Sequence, residues 1–112
     1  MSPQAIIISL IGAVFVLSGA SVRADEPQFT LTIKEHRFDP AELQVPAGVK
    51  VKLLIKNEDF TPEEFESHEL HREKVVPPGQ EITVFVGPLD AGTYPFFGDF
   101  HQDTAQGKLI AK

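Results

Sequence analysis

The side chains in this chain that could bind a metal ion are gathered in two short stretches. One runs from Thr61 to His71 and the other from Gly98 to Gly107. His101 is the foremost candidate ligand, an imidazole in a short polar loop between an aromatic segment and the last apolar run. Asp99 stands two residues earlier, and on an extended segment the two side chains share a face and could chelate together. Glu64 and Glu66 have the same spacing, with Phe65 directed to the other side. His68 and His71 would face together on a helical turn but not on a strand. With Glu66 and Glu69 nearby they form a second candidate site, for Cu(II) or Zn(II). His36 lies beside Lys34 and Arg37 and is read as a surface residue, because cationic neighbours oppose a bound metal. The chain contains no cysteine. A site of imidazole and carboxylates is hard, and favours Fe, Mn, Zn or Cu(II) over Cu(I).

Composition narrows the function classes. The apolar run from Ala5 to Leu17, followed by small residues and Val22-Arg23-Ala24, reads as an export signal over residues 1–24. The run is too short and too interrupted for a comfortable membrane span. Residues 25–112 then form one small domain, expected in the periplasm, with membrane contact only through partners. Loss of the signal removes Met1, the one methionine, and with it thioether binding of Cu(I). Without Arg23, the 16 acidic residues outnumber the basic ones and the net charge is about −7. That balance excludes nucleic acid as a partner and suits cations. No nucleophilic triad order, phosphate loop or dinucleotide fingerprint is present.

The elements that must hold these residues are short strands. Phe29 to Ile33, Glu42 to Val45, Val49 to Lys56, Glu81 to Val86, Thr93 to Phe97 and Gly107 to Ala111 alternate or run apolar, with a short β-leaning piece from Glu73 to Val76. Turns are marked by Phe38-Asp39-Pro40, Pro46-Ala47-Gly48, Pro77-Pro78-Gly79 and Gly87-Pro88. Asn57 to His71 breaks the rhythm and reads as a long acidic loop or a short helical turn. The expected fold is all-β, a Greek-key antiparallel β-sandwich.

Three segments, in order, resemble the cupredoxin family. They are Phe38-Asp39-Pro40-Ala41-Glu42-Leu43-Gln44-Val45-Pro46-Ala47-Gly48; the strand ending in Asn57-Glu58-Asp59; and Gly92-Thr93-Tyr94-Pro95-Phe96 with His101 and Gly107. The resemblance implies that Gly98 stands where a blue-copper protein has its cysteine, so no type 1 centre forms. It puts the axial position at Ala105 or Gln106, with the Gln106 amide as a potential donor. The first histidine position falls within Thr61 to Ser67, where Glu64 and Glu66 are the available donors.

More narrowly, Glu63-Glu64-Phe65-Glu66-Ser67 and Phe97-Gly98-Asp99-Phe100-His101 resemble cysteine-less cupredoxins of bacterial iron-uptake systems, either an EfeO-type domain or a separate component beside a ferrous-iron permease. The resemblance implies an iron- or copper-binding accessory of such a permease and its periplasmic components, with Fe(II) oxidation as its chemistry if it has any. A copper carrier without redox chemistry, using His68 and His71, and a metal-free docking module are the alternatives.

Overall fold

A computed structural model describes residues 26–112; the predicted export signal lies outside them. Among the described residues nine strands form: β1 Gln28–Lys34, β2 Arg37–Asp39, β3 Glu42–Val45, β4 Val51–Asn57, β5 Glu63–Ser67, β6 Arg72–Val76, β7 Glu81–Val86, β8 Gly92–Gly98 and β9 Gln106–Ala111. One 3₁₀ turn, Asp99–His101, follows β8. The strands build two sheets, of order β3-β9-β8-β5-β6 and β2-β1-β4-β7. The expected all-β sandwich is what forms. Each sheet is mixed, because β9 runs parallel to β3 and β1 parallel to β4, while the other pairings are antiparallel.

Period-two alternation explains the core. Leu31 and Ile33 of β1, Val51, Leu53 and Ile55 of β4, Val84 and Val86 of β7 and Leu109 and Ala111 of β9 are all buried between the sheets. Strand β4 alternates throughout, with Leu54 on the outer face between Lys52 and Lys56.

Three phenylalanines fill the centre. Phe38 meets Phe96 edge-on with ring centroids 4.9 Å apart, and Phe65 lies 5.3 Å from Phe96. Each sits at an inward position close to a site residue: Phe38 two after His36, Phe65 two after Glu63, Phe96 two before Gly98. The aromatic cluster thus anchors the three segments from which the candidate centre is built.

Two sequence expectations fail here. Phe38-Asp39, read as part of a turn, belongs to β2. The segment read as a loop from Asn57 to His71 contains β5, an interior strand between β8 and β6. Its acidic sequence hid the alternation Glu63, Phe65, Ser67, all buried, against Glu64 and Glu66, half-buried on the outer face. The open side between β6 and β7 is closed by side chains: Arg72 Nε donates to Phe85 O at 2.8 Å and Lys74 Nζ to Thr83 O at 3.3 Å. These cations occupy carbonyls that an exposed strand edge would otherwise offer to another chain.

Candidate metal centre

His36 reaches the site on a two-residue hairpin turn between β1 and β2, whose register pairs Lys34 with Arg37. Such a turn needs left-handed backbone at both central residues, usually supplied by Asn and Gly. Here Glu35 and His36 adopt it, with φ of 54° and 57°. Non-glycine residues seldom adopt that region, and two in succession call for support from outside the turn. Asp59 holds it: its carboxylate accepts the N–H of Glu35 at 2.7 Å and of His36 at 3.0 Å. Thr104 Oγ1 donates to His36 O from the opposite side. Asp59 is fixed in turn by buried Asn57, whose Oδ1 accepts the Asp59 N–H and whose Nδ2 donates to Thr61 O and Val76 O. Partial burial opposes ionisation of Asp59. The N–H groups of His36 and Glu35, then positive charge on His36 and His101, nevertheless hold its carboxyl below the usual aspartate value.

His101 closes the 3₁₀ turn after β8. Its carbonyl accepts the Ala105 N–H at 2.8 Å, and Gly98 N–H donates to Ala105 O at 2.8 Å, which pinches the loop shut. The His101 ring lies parallel to that of His36, with centroids 3.6 Å apart and 10° between planes. Glu63, at the start of β5, points into the sandwich and is 1% exposed. Its Oε1 is 2.6 Å from His101 Nδ1, a bond that the imidazole donates when Glu63 is ionised. Its Oε2 accepts the N–H groups of Glu64 at 3.0 Å and Phe100 at 2.9 Å. These contacts make burial of the carboxylate tolerable.

His36, Glu63 and His101 therefore offer one ligand atom each, all within 4.8 Å of one another. His36 Nδ1 is buried without a hydrogen-bond partner. Asp59 Oδ2 stands 3.4 Å from it, an ionic distance without hydrogen-bond geometry. An unpartnered buried imidazole nitrogen beside a carboxylate and a second imidazole is a donor set that fits a divalent metal.

A second group lies on the outer face of the same sheet. Glu64, Glu66 and Asp99 also bring one ligand atom each to within 4.8 Å. The structure thus unites the three carboxylates singled out in the sequence, but not with His101. The 3₁₀ turn is the cause, since it sends Asp99 outward and His101 inward where an extended segment would have aligned them. Partial desolvation, then the carboxylates of Glu73 and Asp99, push Glu64 up to about 7. A raised acid favours the fold while it holds its proton and loses that contribution as pH rises toward 7. Glu64→Gln should therefore raise the melting temperature at pH 8 and leave it unchanged near pH 4, as calorimetric scans across pH would record. Equal effects at both pH values would refute this electrostatic reading.

The remaining candidates stand apart. His68 and His71 sit on the turn joining β5 to β6, closed by His71 N–H to His68 O at 3.1 Å. His68 is largely exposed and 3.8 Å from Glu66. Extended β5 separates it from Glu63 by roughly 16 Å. Gln106 is exposed, and its Nε2 donates to Gln102 O at 2.8 Å. Ala105, fully buried beside Gly98, is the residue at the inner position, and it has no donor. His36, read from the sequence as a surface residue, is the largest correction. Lys34 and Arg37 flank it in sequence, but the hairpin turn takes its ring onto His101. Glu63 was also missed, although the alternation with Phe65 could have revealed it.

The model of the cupredoxin-like domain matches residues 6–111. The chain belongs to the cupredoxin-like domain family. An uncharacterized protein of Rickettsia prowazekii (strain Madrid E) is 55% identical to this cupredoxin-like chain over 80 residues. The match covers 71% of this chain and spans 64% of that relative's length. Among solved structures, auracyanin A, a "blue" copper protein from Chloroflexus aurantiacus, superposes with a TM-score of 0.68 at 18% identity, covering 79% of this chain and 100% of that one. Amicyanin from Paracoccus versutus gives 0.60 at 20% identity, covering 83% and 87%. The metal-binding domain of the Streptococcus pneumoniae D39 Cu(I)-exporting ATPase CopA gives 0.61 at 13% identity, covering 76% and 84%. At these identities the structural likenesses establish the cupredoxin-like fold.

Proposed function

We propose that this cupredoxin-like protein binds a divalent transition metal between His36, Glu63 and His101. The observation that carries the reading is the convergence of three donor side chains from three separate elements, one of them a histidine whose Nδ1 is buried without a hydrogen-bond partner. Two imidazoles with one carboxylate suit Fe(II) and Zn(II), and Cu(II) is also accommodated. Bound iron or copper would supply a one-electron couple. The chain's own part is to hold the imidazoles parallel, to exclude water from Glu63, and to give up the proton shared between His101 Nδ1 and Glu63. A carboxylate ligand stabilises Fe(III) relative to Fe(II), which fits a role in iron oxidation.

The finer assignment is to an exported accessory of a ferrous-iron permease. It is supported by the resemblance to cysteine-less iron-uptake cupredoxins, by the apolar leader and by the oxygen- and nitrogen-only donor set. Calorimetric titration of the purified protein with Fe(II) without oxygen, Cu(II) and Zn(II) tests the binding. One equivalent with a Kd of about 1 µM or tighter is expected for at least one ion. Binding of none refutes the metal reading.

One observation favours a metal-free interaction module instead. Both oxygens of Glu63 already have partners, so the His101–Glu63 pair could fill the site by itself. Under that reading the titrations show no stoichiometric heat.

A further inference from the structure

Gly98 is buried at the end of β8 with φ −96° and ψ 113°, ordinary extended backbone that any residue adopts. Its glycine is therefore not required by the chain's path, and glycine in a strand carries an entropic cost. Space explains it. A Cβ at this position would stand 2.5 Å from Glu63 Cδ, 2.8 Å from Glu63 Oε1 and 2.7 Å from Ala105 Cβ. No real Cβ approaches so closely, and the Glu63 carboxyl cannot retreat, because His101, Glu64 N–H and Phe100 N–H hold it on three sides.

We propose that Gly98 is the specificity-determining residue of the centre. By lacking a side chain it reserves the volume in which the Glu63 carboxylate stands. Any side chain at 98, a thiol included, competes with Glu63 for one space. Gly98 and Glu63 thus act as a unit that commits the centre to an oxygen donor, and so to Fe(II), Zn(II) or Cu(II) over Cu(I). Ala105 completes the unit, since its methyl group bounds the same volume. This proposal rests on the metal reading given above, and extends it from which residues bind to which residue decides the class of ion.

A double-mutant cycle of Gly98→Ala and Glu63→Ala tests it, read by melting temperature without metal and by Zn(II) affinity. Gly98→Ala alone should lower the melting temperature by about 5–15 °C. In the Glu63→Ala background the same substitution should cost less than half as much. Zn(II) affinity should fall about 10-fold or more in Gly98→Ala, with the ligands themselves intact. Should Gly98→Ala fail to fold, folding of the double variant supports the proposal, and failure of both overturns it. Equal losses in the two backgrounds, or a Gly98→Ala protein with unchanged Zn(II) affinity, overturn it too. If the unaltered protein binds no metal, the metal reading falls and the specificity role with it, whereas additive losses alongside normal Zn(II) binding reject this inference and leave the metal reading standing.

Discussion

His101→Ala should weaken metal binding by more than about 100-fold and destabilise the metal-free protein by about 2–4 kcal/mol. Both effects have the same origin. His101 is the charge partner of Glu63 at 2.6 Å, and Glu63 is 1% exposed. Without the imidazole, the buried carboxylate keeps only two backbone N–H donors. An uncompensated buried charge costs more than the pair itself contributed, because water cannot replace the missing partner. The upper end of the usual cost does not apply, since the His101 side chain is 27% exposed and partly solvated already. Glu63→Gln in the His101→Ala background should restore part of the stability and none of the metal binding. Chemical denaturation beside calorimetric titration checks both. A His101→Ala protein as stable as its parent would show that the pair is a surface ornament.

Asp59→Ala is the second large effect, although Asp59 is not among the converging donors. Its carboxylate accepts two N–H groups of the left-handed Glu35-His36 turn. Hydrogen bonds to a charged acceptor are among the stronger ones, and their loss here also releases a turn whose backbone non-glycine residues seldom adopt. The expected cost is about 2–3 kcal/mol, with a 10–100-fold loss of metal affinity because His36 is no longer held against His101. The pH dependence has a definite sign. Asp59 is held below the usual aspartate value, so its contribution is present above that value and disappears as pH falls through the lower folded one. The stability gap between parent and variant should therefore be widest at neutral pH and close under acid. A gap that widens under acid would contradict the arrangement.

The sandwich was legible because most strands carry one apolar face. Leu31 and Ile33, or Val84 and Val86, bury at alternate positions, and Pro/Gly turns separate the strands. Strand β5 was not legible, since its first inward residue is an acid. Beside the N–H of its neighbour Glu64, Glu63 tolerates burial through partners on other elements, Phe100 N–H and the His101 ring, 37 and 38 residues away. The pairing of Glu64 with Glu66 was readable from spacing along an extended strand, and Asp99 joins them in the structure. Its separation from His101 was not, because three residues of 3₁₀ backbone decide it. His36 was the least readable. Glu-His carries no turn signature, and its conformation is imposed by Asp59 from 23 residues away.

The central claim is that His36 and His101, far apart in the sequence, bind one metal with Glu63. The protein has four histidines, and their ring nitrogens are separately resolvable by imidazole ¹⁵N NMR. On addition of one equivalent of Zn(II), the account predicts that the His36 and His101 ring nitrogens shift together, while those of His68 and His71 stay where they were. Shifts confined to His68 and His71, or none at any histidine, would contradict it.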